Sequence, residues 1–433
     1  MKVSIVSLGC SKNLVDSELI VGDLKKRGHE FTEVENAETI ILNTCGFIGD
    51  AKKESINTAI ELLEYKKNGN CKKLILTGCL IERYSEQLKR EMPEIDAFWG
   101  TGNLSQIHKL LDDEPENFKN YKPGTLYDPD SPRELLTSSH TAYVKVSEGC
   151  SRTCTFCIIP KMRGLMKSRK KDSVKKEISN LADNGVKEIN LIAQDMTSYG
   201  RDISTNLEEL LLEISSVEKV EWIRLHYLYP WGFTDSLMKV INNEQRIVPY
   251  IDMPLQHIND RLLKLMDRRT TKEKTIDIIE RLRANIEDLT LRSTFIVGFP
   301  GETEKEFEEL LDFIEKYKFE RAGAFKYSQE EGTGAATLEG QIAEDIKEER
   351  LETLMNLQSE VSYGKNNNII GTKQWGIIEG LEDGTLYARL SSQAPEVDGI
   401  TYVDSDNEDL IGDIVNLKIT GCDVYDLYAK LDY

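Results

Sequence analysis

The chain has 433 residues, 30% charged and 39% hydrophobic, which excludes a collagen-like or wholly disordered polymer and leaves material for several cores. At about 150 residues per domain the length predicts roughly three domains. The formal net charge of −20 argues against nucleic acid as the direct substrate and for a basic protein partner.

Met1 to Val6 reads as a strand, with no long apolar signal core behind it. No apolar run nears the roughly 20 residues that span a bilayer. The expectation is a cytoplasmic protein without a membrane partner. Residues 1–111 then alternate strand and helix: strands over 3–8, 39–43, 73–77 and 97–99, helices over 14–27, 52–65, 85–91 and 104–111. That alternation predicts an open parallel α/β sheet. Residues 112–141 hold Pro115, Pro123, Pro129 and Pro132, four of the 11 prolines, and read as an extended linker.

Alternation resumes over 142–365, with strands at 142–147, 188–193, 222–228, 250–253, 291–297 and 322–327. Val174, Ile178 and Leu181 form one apolar helical stripe, and Phe307, Leu310, Leu311 and Ile314 another. About six β/α units predict a partial (β/α)6 barrel closed by a long helix over 344–362. Residues 366–433 alternate by two, as in Leu386, Ala388, Leu390 and Val415, Leu417, Ile419, which predicts a small OB-like β-barrel. This last piece carries four Lys/Arg against thirteen Asp/Glu, a net of −9. The whole is an α/β multidomain chain.

There are eight cysteines, and in a reducing compartment thiols serve as ligands, nucleophiles or small core residues more than as disulfides. Cys150, Cys154 and Cys157 form a C-x3-C-x2-C cluster just after the strand over 142–147, at the C-terminal mouth where β/α barrels build their sites. Soft thiolates select zinc, copper(I) or iron–sulfur clusters. Three ligands on a four-iron cluster leave one iron open for a substrate or cofactor. Cys10, Cys45 and Cys79 each follow a predicted parallel strand by one to three residues. In an open sheet those strand ends share one edge, so three distant thiols converge. Each also neighbours a glycine (Gly9, Gly46, Gly78), read here as room for a bulky ligand. The bland alternatives are a zinc knuckle for the first set and chance core thiols for the second. Cys71 and Cys422 fall outside both sets and read as structural or free thiols.

The C-x3-C-x-aromatic-C phrase, with Phe156 as the aromatic, resembles the signature of radical S-adenosylmethionine enzymes. Two three-cysteine sets followed by a small β-barrel resemble, over essentially the whole chain, the methylthiotransferase family. The stretches Leu8 to Glu18, Asn43 to Ile48 and Cys157 to Gly164 resemble its ribosomal-protein branch, with Ser11 where that branch often has proline. The tRNA-modifying branch commonly shows Gln-Met-Asn after the first cysteine. The resemblance implies two 4Fe-4S clusters and S-adenosylmethionine, cleaved to a 5′-deoxyadenosyl radical after one electron from a donor. It implies a methylthio group added to the β-carbon of an aspartate in small-subunit ribosomal protein twelve, and a TRAM-like last domain. The alternatives are tRNA adenosine methylthiolation, or an iron–sulfur electron carrier or scaffold without group transfer.

Gly298, Phe299, Pro300, Gly301 and Glu302 end a barrel strand. They are similar to the family's cofactor-binding turn, though plain turns use the same residues. Gln194 and Asp195 end another strand and reach the mouth as cofactor or substrate contacts or as helix caps. Phe156, Gln194, Gly298, Pro300, Gly301 and Glu302 are thus the expected cofactor-binding residues. Tyr227, Tyr229 and Trp231, with His226, line either the mouth or the core, and His257 is a weaker candidate. Glu396, Asp398, Asp404, Asp406, Glu408 and Asp409 read as a solvated acidic surface or a docking face for a basic protein.

Overall fold

A computed structural model describes residues 1–111 and 122–432; residues 112–121 of the expected linker, Pro115 among them, lie outside the described residues. The chain opens with β1 (Lys2–Ser7), α1 (Ser11–Lys26), β2 (Glu30–Phe31), β3 (Thr39–Thr44), α2 (Gly49–Asn68), β4 (Lys73–Gly78), α3 (Cys79–Glu91) and β5 (Ala97–Trp99). The strands form one parallel sheet in the order β2-β1-β3-β4-β5. Strand β3 is buried along its whole length, as a strand covered on both faces must be. Ile40, Leu42, Leu74 and Leu76 pack toward Leu62 of α2 and Leu80 of α3. Their neighbours Ile41 and Ile75 face Ile20 and Leu24 of α1. Strand β2 escapes sequence reading because it is two residues long. Residues 104–110 wind as a 3-10 helix after a left-handed Asn103, where an α-helix was expected.

The second sheet follows: β6 (Thr141–Lys145), β7 (Ser147–Glu148), α4 (Ile159–Arg163), β8 (Lys167–Ser168), α5 (Lys171–Asp183), β9 (Glu188–Ile192), α6 (Leu207–Ser215), β10 (Trp222–Leu225), α7 (Asp235–Asn243), β11 (Ile247–Asp252), α8 (Asp260–Leu265), α9 (Lys272–Asn285), β12 (Thr290–Val297), α10 (Glu304–Tyr317), β13 (Arg321–Lys326) and α11 (Glu344–Asn368). Six strands lie parallel in the order β13-β12-β11-β10-β9-β6. Outward residues such as Ile189, Leu191, Ile223 and Leu225 join Val174, Ile178, Leu310 and Ile314 in one core. Leu181 and Leu311 sit only at its edge, while Ala182 and Phe313 are buried within it. The inward positions Glu188, Asn190, Arg224, His226 and Asp252 are polar yet buried, so the lumen is charged. The strand expected over 142–147 breaks after Lys145, and β7 instead pairs antiparallel with β8.

The last strands, β14 (Lys373–Glu382), β15 (Thr385–Leu390), β16 (Thr401–Val403), β17 (Ile414–Cys422) and β18 (Leu427–Leu431), close a barrel in the order β14-β15-β16-β18-β17. Leu386, Ala388, Leu390, Leu417 and Ile419 fill it, with Val415 at the edge. It seats on the N-terminal end of the second sheet. Arg389 of β15 is ion-paired with Glu188 at the start of β9, which Arg224 also contacts at 3.1 Å. The Tyr250 hydroxyl donates to Asp398 at 2.7 Å. The lumen is thereby plugged at the end opposite the mouth. Among the described residues no helix is long and apolar enough to cross a membrane.

Candidate functional site

The first sheet delivers its thiols by register. Ser7 pairs with Asn43 and Asn43 with Thr77, so the ends of β1, β3 and β4 stand in one row, with Cys10, Cys45 and Cys79 two or three residues beyond it. The flanking glycines serve chain packing more than ligand access. A Cβ on Gly9 would fall 2.7 Å from Cys45 Cβ, one on Gly46 2.7 Å from Leu80 Cα, and one on Gly78 2.5 Å from the Thr44 carbonyl. Cys10 is exposed, Cys45 and Cys79 buried. Burial pushes Cys79 up to about 12 against the pull of Arg163, with the thiols of Cys10 and Cys45 adding to the rise. The three thiols therefore feel one another, and a ligand set of this kind must surrender its protons to the metal it binds.

The second set lies on one loop. Its neck is tied by the β7–β8 pair and by Cys150 N–H donating to the Gly164 carbonyl at 3.0 Å. Gly149 holds φ +78, and a Cβ there would meet the Gly164 carbonyl oxygen at 2.5 Å, so only glycine allows the neck to close. Cys157 N–H donates to the Cys154 carbonyl at 3.0 Å. Arg152 N–H points at Cys150 Sγ at 3.4 Å, and the Arg268 guanidinium lies 3.7 Å from Cys154 Sγ. Both arginines stack on Tyr229, each 4.0 Å from the ring centroid. Burial raises Cys150 to about 11 and Cys157 to about 12. Among the described residues no three His, Cys, Asp or Glu side chains are placed to share one ion; a polynuclear cluster takes each thiolate on a different iron, so its ligands stand further apart.

The segment that follows the loop set reaches the first set across one interface. Cys79 packs against Ile158 and Met162, one and five residues after Cys157. Arg163 donates from Nε to Cys79 Sγ at 3.3 Å, pairs with Asp16 at 2.6 Å and bonds Asn13. Lys145 joins Asp16 at 2.6 Å and Glu148 at 2.9 Å. Burial works against the Glu148 charge, but Lys145 and Arg163 outweigh it and hold the group at about 2. Lys12, buried at the head of α1, lies 3.3 Å from the centroid of Tyr227, and burial pulls its ammonium down to about 8. Sequence reading misses these charged groups because the partners that join the two sheets, Asp16 with Lys145 and Arg163 and Lys12 with Tyr227, lie more than a hundred residues apart. Arg163 and Lys12 lie within the stretches Cys157 to Gly164 and Leu8 to Glu18, where a cation beside a thiol set is the local signal.

The remaining candidates divide. Phe156 is half-buried against Phe299, Leu262 and Met266. Gln194 donates to Glu148 at 2.9 Å, while its Oε1 is buried without a partner, as are Tyr229 OH and Ser147 Oγ. Such orphaned groups around a thiol loop suit a polar ligand. Asp195 is engaged by Arg152 at 2.6 Å, Ser198 at 2.6 Å and Thr197 at 2.7 Å, so it braces the cysteine loop. In the turn after β12, Glu302 accepts the N–H groups of Gly298 at 2.8 Å and Phe299 at 3.1 Å and pairs with Arg350 at 3.0 Å. Its carboxylate shapes that turn from within. Gly301 N–H donates to the Gly340 carbonyl at 2.7 Å, and Pro300 is buried. His226 bonds Asn190 at 3.0 Å in the lumen. His257 Nδ1 accepts from Asn259 N–H at 3.0 Å, and burial lowers it to about 4. Trp231 is exposed beside Arg201. Asp398 is a buried partner of Tyr250 and Arg292, not part of an exposed face. Glu396, Asp404, Asp406, Glu408 and Asp409 are exposed. Cys71 lies in the core beneath β3 and β4, and Cys422 ends β17.

Three comparisons relate the chain to known proteins. Residues 144–314 match the Radical SAM superfamily, residues 2–100 the uncharacterized protein family UPF0004, and residues 370–431 the TRAM domain. The chain is 45% identical to ribosomal protein uS12 methylthiotransferase RimO of Geobacter sulfurreducens, over 99% of this chain and 98% of that one. Identity to the same-named protein of Clostridioides difficile is 46%, over 100% and 99% of the two chains. Among solved structures, the radical S-adenosylmethionine methyltransferase TsrM of Kitasatospora setae superposes with a TM-score of 0.53 at 13% identity, over 75% of this chain and 74% of that one. The cobalamin-dependent S-adenosylmethionine radical enzyme OxsB gives 0.52 at 15%, over 83% and 56%; at these identities the likeness concerns fold alone. The chain belongs to the ribosomal protein uS12 methylthiotransferase family of radical SAM proteins.

Proposed function

We infer that the chain is a radical S-adenosylmethionine methylthiotransferase acting on ribosomal protein uS12, with the β-carbon of an aspartate as its target. The observation that carries this reading is the buried contact between the two thiol-bearing pieces, where Arg163, six residues after Cys157, bonds Cys79 of the sheet-edge set. Cys150, Cys154 and Cys157 would hold one 4Fe-4S cluster, and Cys10, Cys45 and Cys79 a second. With S-adenosylmethionine bound, the first supplies a carbon radical able to take hydrogen from an unactivated C–H bond, and the second supplies sulfur.

The chain's own residues do the rest. Arg152 and Arg268 place positive charge beside the loop thiolates and keep it there by stacking on Tyr229. Phe156, Gly298, Pro300, Gly301 and Gln194 would border the cofactor, and Glu302 fixes the turn that carries Gly298, Pro300 and Gly301. The neutral interface network of Asp16, Lys145, Glu148 and Arg163 joins the two sheets and excludes water from the space between the thiol sets. The acidic last barrel docks the basic substrate protein, an external donor supplies electrons, and the enzyme works in the cytoplasm. The division into 1–111, a linker over 112–141, 142–365 and 366–433 assigns one task to each piece.

The test is anaerobic reconstitution with iron and sulfide, followed by reaction with a uS12 peptide containing the target aspartate. The expected result is 5′-deoxyadenosine together with a peptide heavier by one methylthio group. Cofactor cleavage with a modified tRNA and an unmodified peptide would replace the substrate assignment. Absence of any 5′-deoxyadenosine would return the chain to the carrier reading.

A further inference from the structure

Lys12 opens α1 two residues after Cys10, and its side chain leaves the first sheet to cross to the mouth of the second. The residue is 7% exposed, and its ammonium sits 3.3 Å from the centre of the Tyr227 ring. Among the described residues it forms no hydrogen bond and no ion pair with a carboxylate. Cys10, two residues away, is the anionic group that favours its charge most, ahead of Asp252 and Glu148. A buried ammonium that no carboxylate touches is still costly, and cation–π contact with one ring offsets only part of that cost.

The other cations at the mouth are occupied. Lys145 and Arg163 are held by Asp16, Arg292 by Asp252 at 3.1 Å and Arg152 by Asp195 at 2.6 Å. Arg268 donates to the Pro254 carbonyl at 2.5 Å and faces Cys154. The carboxylates nearest Lys12 are likewise engaged: Glu148 by Lys145 and Gln194, Asp252 by Arg292 and by Tyr227 N–H at 3.2 Å. Among the described residues Lys12 is the cation of this group that no carboxylate or carbonyl holds, and it stands beside Cys10 with its ammonium on Tyr227 at the mouth of the second sheet.

The ring beneath it is held with effort. Tyr227 has φ +60, a left-handed backbone that a bulky side chain rarely adopts and that persists where surroundings enforce it, often at functional sites. The strand exit is bent so that this tyrosine supports Lys12.

We propose that Lys12 is the specificity residue of the site, receiving the side-chain carboxylate of the substrate aspartate at the mouth of the second sheet. The assignment rests on the uS12 reading above and adds to it the group that tells aspartate from its uncharged analogue. A carboxylate is one bond from the β-carbon, so a cation that anchors it also sets where the reacting C–H lies. The ammonium offers three N–H donors, enough to bind a carboxylate while resting on the ring.

The experiment compares wild type, Lys12→Met and Lys12→Arg as full chains reconstituted with iron and sulfide. Each is given two uS12 peptides that differ only in Asp or Asn at the target position. Product is read by mass spectrometry, KM and kcat are separated, and iron is counted. Wild type should favour the Asp peptide by about 100-fold in kcat/KM, the scale expected for stripping one partner from a buried charge pair. Lys12→Met should fall to less than about threefold discrimination through a rise in KM, and Lys12→Arg should recover a clear preference for Asp. Wild-type discrimination surviving in Lys12→Met would overturn the assignment. So would loss of half the iron in that variant, which would tie the ammonium to the cluster at Cys10 instead. No product from wild type with either peptide would overturn the uS12 reading itself, and this assignment with it.

Discussion

The two thiol sets reach similar ends by opposite routes. Cys150, Cys154 and Cys157 occupy eight consecutive residues, and their geometry is settled within one loop whose neck is tied by β7, β8 and Gly149. Cys10, Cys45 and Cys79 are spread over seventy residues and meet only because three parallel strands end in register. A local set depends on turn chemistry, so it can survive while much around it moves. A dispersed set depends on the whole first sheet, whose register is specified by two covered faces. The difference suits the tasks proposed for them: a local loop that would hold the cofactor's cluster, and a sheet edge that would hold a second.

Removing the loop set tests this division most severely. Cys150, Cys154 and Cys157 replaced by Ala should leave one cluster, about four irons in place of about eight, and abolish 5′-deoxyadenosine formation in an anaerobic chromatographic assay. Complete iron loss would mean that the sheet-edge set is not independent. The reciprocal variant, with Ala at Cys10, Cys45 and Cys79, should retain cofactor cleavage but yield no methylthiolated peptide by mass spectrometry. Methylthiolation at the normal rate would remove the sulfur-carrying role from the sheet edge.

Arg163 sharpens the comparison, because it belongs to one route and touches the other. Arg163→Met strips Cys79 of its cation and leaves Asp16 with Lys145 alone. A broken buried pair of this kind costs about 3–5 kcal/mol, read as a lower denaturation midpoint of the reconstituted protein, with iron lost from the sheet-edge site first. Equal iron loss from both sites would deny the asymmetry.

What the sequence made legible follows the same line. The loop set is visible from spacing alone. The sheet-edge set is visible once strands are placed, since the period of apolar residues locates their ends to within a residue or two. The partial barrel is visible because short strands with apolar outward positions, such as Ile189 and Leu191, alternate with helical apolar stripes. The charged interface is not, because nothing local in Asp16 or Lys145 marks a partner on another sheet. Nor is the meaning of Asp398: in the sequence it belongs to an acidic run, and only the seating of the last barrel turns it toward Tyr250 and Arg292. Glu302 likewise looks like a ligand-facing carboxylate until its acceptor atoms are seen to close their own turn.

The plugged end of the second sheet gives a control without thiols. Burial opposes the charge on Glu188, yet Arg389 and Arg224 outweigh it and hold the group at about 2. With its folded value below the unfolded one, Glu188 contributes stability that is complete above pH about 4.5 and is lost as pH falls toward 2. Glu188→Gln should therefore cost about 3 kcal/mol at neutral pH, and its difference from wild type should shrink through that acid window in denaturant titrations. A difference that does not change between pH 6 and pH 3 would show the pair to be electrostatically idle.

The smallest expected effect concerns the acidic barrel, which sits at the end of the second sheet away from both thiol sets. Asp404, Asp406, Glu408 and Asp409 are its exposed cluster, and Asp398 is no part of it. A field of this sign raises encounter rate with a basic protein more than it raises final affinity, and it is screened over roughly 8 Å at physiological salt. Changing the four to Asn or Gln should weaken uS12 binding by about three- to tenfold at low salt and hardly at all at high salt. Cofactor cleavage without substrate should not change, since the barrel plugs the lumen from below through Arg389 and meets the cations of the mouth through Asp398 on Arg292, and Asp398 is not among the four. An RNA partner predicts the opposite sign, because removing negative charge favours a polyanion. Binding of uS12 and of tRNA, measured at two salt concentrations with this variant, separates the cases. Unaltered uS12 affinity at both salts would confine the last barrel to its structural part, closing the lumen at the end where Arg389 meets Glu188.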